Sequence, residues 1–300
     1  MTLFVQTSIM ETKKVKQLLF AHEVDMGGIA VRQPIPTARV DQIDPFLLLH
    51  HNRWPVARGS NHRHAGIGPH PHRGFSPVTF IFDGDLHHRD SRGNDRVVGA
   101  GGMQWMSSGL GLVHSERPSK GLCETGGAQE IIQVWINTPA KAKMAEPYYL
   151  AMEKSDIPVW SSEDEKTTYY LYSGDQGEYS GPVDSPWPVL SMRIDAESEG
   201  RFRLEIPESW NAFLYLLDGQ VSLEGFGLIE GLNLAWLEKE GSTISGFARE
   251  KTRMILLASP PINEPVETYG PFVMNNQTQV MQAMRDYQMG KMGVLVEEFD

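Results

Sequence analysis

His70-Pro71-His72 and His114-Ser115-Glu116 place three imidazoles and one carboxylate at alternate positions of two short segments. Alternate residues of a β-strand point to one face, so His70 projects with His72, and His114 with Glu116. Two facing strands would bring all four onto one ion. Neither segment reads as helix, because Gly66 to Pro69 precedes the first and Gly109 with Gly111 precedes the second. The competing arrangement makes His70 and His72 hydrogen bonders in a pocket wall and pairs Glu116 with Arg117. Nitrogen and oxygen donors without sulfur disfavour structural zinc and suit Fe(II), Mn, Ni, Co or Cu. Four protein ligands leave two positions of an octahedron for water, substrate or oxygen, which is what a catalytic ion requires.

The elements that must carry these residues are strands. Apolar runs at Phe46 to Leu49, Val78 to Phe82, Met103 to Met106, Ile131 to Ile136, Phe202 to Ile206 and Phe213 to Leu217 are separated by Gly, Asp and Asn. Short strands with frequent turns and no regular alternation with long helices indicate an all-β chain of jelly-roll type. Phe82-Asp83-Gly84-Asp85-Leu86 is echoed by Leu217-Asp218-Gly219-Gln220-Val221, each a strand, an Asp-Gly turn and a strand, which indicates duplication. At that offset Glu205, Pro207, Arg249 and Lys251 stand opposite the four proposed ligands; alignment on Trp105 and Trp236 instead puts Ser245 and Phe247 opposite His114 and Glu116. No histidine follows His114, so the second copy is expected to be metal-free.

The expected organisation is a metal-binding domain over 1–140, a linker over 141–186 rich in Ser, Asp, Glu, Pro and Gly, and a second domain over 187–300. Val280, Met284 and Tyr287 fall at helical spacing before Gly290, which predicts a short C-terminal helix over Thr278 to Met289 with an apolar docking stripe.

Composition narrows the function classes. With 40% hydrophobic and 22% charged residues, the chain has the make-up of a globular protein. A formal net charge of −11 and no dense Lys/Arg stripe argue against direct nucleic-acid binding. Cys123 is the only cysteine, which excludes an intramolecular disulfide and a thiolate cluster. Lys13, Lys14 and Lys16 follow the apolar stretch Leu3 to Met10, the reverse of a secretory signal, and no run approaches the roughly 20 apolar residues of a membrane span. A cytoplasmic protein without a membrane anchor, monomeric by default, is expected.

His70-Pro71-His72-Arg73-Gly74-Phe75, His88-Arg89-Asp90-Ser91, Gln104-Trp105-Met106, His114-Ser115-Glu116-Arg117-Pro118, Pro139-Ala140-Lys141-Ala142-Lys143-Met144 and Gly270-Pro271-Phe272-Val273-Met274-Asn275 together resemble the pirin family, across roughly residues 30 to 290. The resemblance implies two cupin-type β-barrels facing each other. It places iron in the first, held by the residues matching His70, His72, His114 and Glu116, and no metal in the second. Some family members cleave the flavonol quercetin with molecular oxygen; others are described as nuclear co-regulators that sense iron redox state. Ser76 departs from the family's usual Glu, and Gly101-Gly102 from its usual Pro-Gly-Asp turn.

The resemblance and the residues together give a metal-dependent dioxygenase with Fe(II), acting on a flavonol or similar enolisable aromatic, with Glu116 both ligand and acceptor of the substrate hydroxyl proton. The alternative is a non-catalytic module whose iron state alters the surface shown to a protein partner; a degenerate cupin or an isomerase is a third class. Arg73 and Gln104 are candidates to orient Glu116 or substrate, and Phe75, Phe80, Trp105 and Met106 to line a flat pocket. His62 and His64 are expected at the surface or a pocket rim. The adjacent pairs His50-His51 and His87-His88 point to opposite faces of their strands.

Overall fold

The computed structural model describes residues 11–299; the stretch Leu3 to Met10 lies outside the described residues. The chain forms two compact units, and each draws on more than one stretch of sequence. Of the described residues, one contains 21–157, 184–187 and 261–299, the other 11–20, 158–183 and 188–260. This differs from the expected division at 141–186. The segment expected to be a linker is built into sheets: Tyr148–Met152 pairs with Met103–Ser107, and Thr167–Ser173 with Leu190–Ala196. Its polar residues mark the turns between these short strands, not a free connection.

The first unit packs a seven-stranded sheet with a four-stranded one. The larger sheet has at its centre Met103–Ser107, Phe75–Asp83, Gly127–Asn137 and Phe46–Val56, in that order. The smaller runs Ile67–His72, Leu112–Arg117, Asp85–Asp90, Asp95–Gly99. The second unit repeats this order with Asn233–Leu237, Asn211–Asp218, Thr252–Ser259 and Leu190–Ala196, and with Arg201–Glu205, Thr243–Ala248, Gln220–Leu223 and Gly227–Glu230. The fold is two cupin barrels with a C-terminal helix, as expected. The Asp-Gly turns sit at equivalent places, where the chain passes from the larger sheet to the smaller. Gly84 and Gly219 have φ of 70° and 75°, and a Cβ there would clash with the Ala128 carbonyl or with Thr252 Oγ1.

Equal distance from these turns makes Leu223 the counterpart of His88, and strand register then carries the match across each small sheet. Leu204, Ile206, Ile244 and Gly246 occupy the places of His70, His72, His114 and Glu116. Both sequence alignments missed this register, the second by one residue. Aliphatic side chains and a glycine offer no ligand atom, and the interior there is an apolar core of Phe202, Leu204, Leu214, Val221, Ile244 and Leu256.

Residues 261–299 complete the first unit. The helix Gln277–Gln288 is capped by Asn276, whose side chain accepts from the Gln279 N–H, and it is followed by Gly290 at φ 72°. Ala283 packs with Val113, Phe272 and Met292. Arg73 fastens the helix to the first histidine segment: its Nη1 lies 2.9 Å from Asp286 Oδ2, and its Nε donates to the Leu110 carbonyl. Buried Lys143 braces the same corner by donating to the Gly74 and Val273 carbonyls and to Asn137 Oδ1. No described helix is long and apolar enough to cross a membrane.

Hydrogen bonds from Lys291, Arg73 and Gln282 hold the Asp286 carboxyl down at about 2, against the upward push of burial. A depressed carboxyl contributes stability that is complete above its unfolded value near about 4 and is lost as pH falls towards the folded value. Thermal unfolding should therefore show Asp286→Ala to be destabilised by about 3–5 kcal/mol at neutral pH, because Arg73 is left buried without its carboxylate. The difference from wild type should shrink as pH drops from about 4 towards 2; a pH-independent difference would refute this.

Candidate metal centre

The strands Ile67–His72 and Leu112–Arg117 run antiparallel, with His114 paired to His70 and Leu112 to His72. The register shifts between His114 and Glu116, so Glu116 sits opposite Ile67. On its other side the second strand pairs with Asp85–Asp90, His114 facing Asp90 and Glu116 facing His88. Parity divides the side chains as expected. Ser115 and Arg117 leave on the opposite face and bond Glu297, so Arg117 is not the partner of Glu116.

His70, His72 and His114 converge, with one nitrogen of each within 4.8 Å of the others. Ring centroids are 4.8 Å apart for His70 and His72, 4.3 Å for His70 and His114, and 4.9 Å for His72 and His114. His72 and His114 are buried and His70 half-buried. Burial, then the neighbouring imidazoles, pushes the pKa of His72 and of His114 well below the usual histidine range; the Pro271 carbonyl opposes this at His72. A histidine kept neutral is a ready-made ligand, and burial favours that form at His72 and His114.

The donor set fits a cation. His72 Nδ1 and His114 Nε2 are buried without a hydrogen-bond partner, a cost that coordination would remove. His70 Nδ1 lies 2.9 Å from the Gly68 carbonyl, which accepts only, so the proton is on Nδ1 and Nε2 carries the lone pair.

Glu116 stands beside this group and is not one of its three convergent residues. Its Oε1 accepts from Gln104 Nε2 and from Thr79 Oγ1, and its Oε2 accepts from Gln133 Nε2 at 2.8 Å. Both amides have fixed orientations. The Tyr149 hydroxyl donates to Gln104 Oε1, and the Trp135 indole donates to Gln133 Oε1. Donors therefore face both oxygens of the carboxylate. Tyr149 itself is kept protonated: burial, then the charges of Glu116 and Asp90, raises its pKa beyond the ordinary phenol range. A narrow cavity beside Glu116 is lined by Gln129, Gln133, His50 and Asn52 together with Trp54, Ile67, Leu86 and Ile131.

Of the supporting residues expected from sequence, Gln104 touches Glu116, whereas Arg73 turns away to Asp286. Phe75 packs its ring 5.1 Å from that of His72. Trp105 and Met106 are both buried in a strand covered on its two faces. His62 lies against Phe299, while His50 and His51 bond Gln33 and Glu130. Gln133, Tyr149, His88 and Asp90 were not singled out as site residues. The last two share the alternate spacing of the histidine segments, but His87 beside them masks it.

Known proteins resemble the chain along most of its length. The Pirin family matches residues 28–136, and the Pirin C-terminal cupin domain residues 191–293. A pirin-like protein of Solanum lycopersicum is 34% identical over 285 residues, covering 93% of this chain and 92% of that protein. The crystal structure of quercetin 2,3-dioxygenase from Acinetobacter baumannii aligns with a TM-score of 0.89 and 31% identity, over 95% of this chain and 100% of that one. The bacterial pirin YhhW of Escherichia coli, solved in complex with nickel(II), shares the fold with a TM-score of 0.63 and 18% identity, over 82% of this chain and 99% of that one.

Alanine at His70, His72 or His114 should abolish retention of a divalent metal after desalting, measured by elemental analysis, while His62→Ala should leave it unchanged. Equal metal content in all four variants would remove the centre from this location.

Proposed function

The chain belongs to the pirin family of two-domain cupins, and from that premise we propose that it is an iron-dependent dioxygenase of quercetinase type, acting on a flavonol or similar enolisable aromatic. The observation that carries this reading is the convergence of three imidazoles beside a carboxylate that accepts hydrogen bonds, with two buried ring nitrogens lacking partners. The relative from Acinetobacter baumannii is named as a quercetin 2,3-dioxygenase, and the bacterial pirin of Escherichia coli holds nickel. Nitrogen and oxygen donors accommodate Fe(II) as well as Mn, Ni, Co or Cu, and iron is the choice implied by the family.

His70, His72 and His114 would hold the ion, with Glu116 as the fourth ligand. A bound ion supplies Lewis acidity, lowering the pKa of a coordinated enolic hydroxyl and favouring the electron-rich form that reacts with oxygen. Proton movement then falls to Glu116. Oε2 accepts from Gln133 alone and keeps a lone pair for the hydroxyl proton, while ligation through Oε1, which accepts from Gln104 and Thr79, would displace the 3.4 Å bond from Thr79. Gln104 and Gln133, locked by Tyr149 and Trp135, hold the carboxylate in place while it accepts. The cavity beside Glu116 leaves about 20 Å³ for the centres of water molecules, room for about one. That space is too small for a planar substrate.

Protein loaded anaerobically with Fe(II) should consume oxygen when a flavonol is added. Glu116→Gln should lower turnover by about 100-fold or more, the scale of a lost general base, while keeping most of its iron. Bound iron without oxygen uptake over a panel of flavonols would end the quercetinase assignment.

A further inference from the structure

Two residues of Asp85–Asp90 approach His114 from behind. His88 is fully buried, with Nδ1 3.3 Å from His114 Nδ1 and Nε2 3.1 Å from Asp90 Oδ2. Its ring lies flat on Tyr149, with centroids 3.9 Å apart and planes within 5°, which restricts its rotation. Asp90 is fixed in turn. Its Oδ1 accepts the backbone N–H groups of Arg92 and Asn94 at 2.9 and 3.1 Å, and its Oδ2 also accepts from Asn94 Nδ2 at 2.8 Å.

Proton positions along this chain follow from its acidic end. A carboxylate only accepts, so the hydrogen between Asp90 and His88 sits on His88 Nε2. Neutral imidazole has one N–H, which makes His88 Nδ1 an acceptor and assigns the hydrogen between the two rings to His114 Nδ1. His114 Nε2, buried and without a partner, is left with a bare lone pair.

We infer that Asp90 and His88 are positioning residues that impose the Nδ1–H tautomer on His114, making Nε2 its metal-binding atom. The inference rests on the metal reading above. It gives His114 the device that the Gly68 carbonyl supplies to His70.

Asp90→Asn provides the test, because the backbone N–H groups of Arg92 and Asn94 hold the amide oxygen at the Oδ1 place and turn the NH2 towards His88 Nε2, with the Asn94 side-chain amide rotating to present its oxygen. The whole chain of donors then reverses, and His114 Nε2 becomes protonated. Anaerobic competition for Ni(II) against a chelator should show about a 10- to 100-fold loss of affinity, with the apo variant melting as a folded protein. Nitrogen-15 NMR of histidine-labelled, metal-free protein near neutral pH should place the proton of His114 on Nδ1 in wild type and on Nε2 in the variant. Wild-type protein with that proton on Nε2 would overturn the inference without any variant. Unchanged Ni(II) affinity in Asp90→Asn, with His114→Ala losing it, would overturn the tautomer role and leave the metal site standing. Retention of full affinity by His114→Ala as well would overturn both.

Discussion

The centre depends on one strand pairing. Because Leu112–Arg117 meets Ile67–His72 with His114 directly opposite His70, two rings from distant parts of the chain share one face, and His72 joins them by alternation. A slip of one residue would turn His114 outward and Ser115 inward. The register is defended from both sides: outward, Ser115 and Arg117 bond Glu297; inward, His114 meets His88. The shift after His114 places Glu116 among Gln104, Gln133 and Thr79, so the carboxylate enters the site already surrounded by donors.

Around this pairing the barrel sorts its polar groups by direction. Acceptors stand behind the histidines, the Gly68 carbonyl at His70 and the His88–Asp90 pair at His114, and leave lone pairs facing inward. Donors stand around the carboxylate, their amides oriented by the Tyr149 hydroxyl and the Trp135 indole. Tyr149 serves both arms, stacking on His88 while bonding Gln104. The second barrel has the same strand order with Leu204, Ile206, Ile244 and Gly246 in the places of His70, His72, His114 and Glu116, which shows how little of this arrangement belongs to the fold itself.

Much of this was legible in the chain because strand parity is local. His70 with His72, and His114 with Glu116, share faces whatever surrounds them, and the paired Asp-Gly turns revealed the duplication. What depends on long-range pairing was not legible. Gln104 and Gln133 reach Glu116 from strands of the other sheet. Nothing near Val15–Phe20 announces that it pairs with Asn233–Leu237, nor does the motif around Lys143 reveal that its ammonium joins Gly74 to Val273. Short strands such as Tyr148–Met152 were hidden by the polar turns that flank them. The alternate spacing of His88 and Asp90 was present in the sequence, and a search for every acceptor two residues from a histidine would have found it.

The central claim is that three imidazoles of one barrel share a cation. X-ray absorption at the iron edge, on wild-type protein loaded with one equivalent of Fe(II), tests it most directly. The account predicts the multiple-scattering pattern of three imidazoles with one or more oxygen neighbours in the first shell. A first shell of oxygen alone, or one carrying a single imidazole, would contradict it.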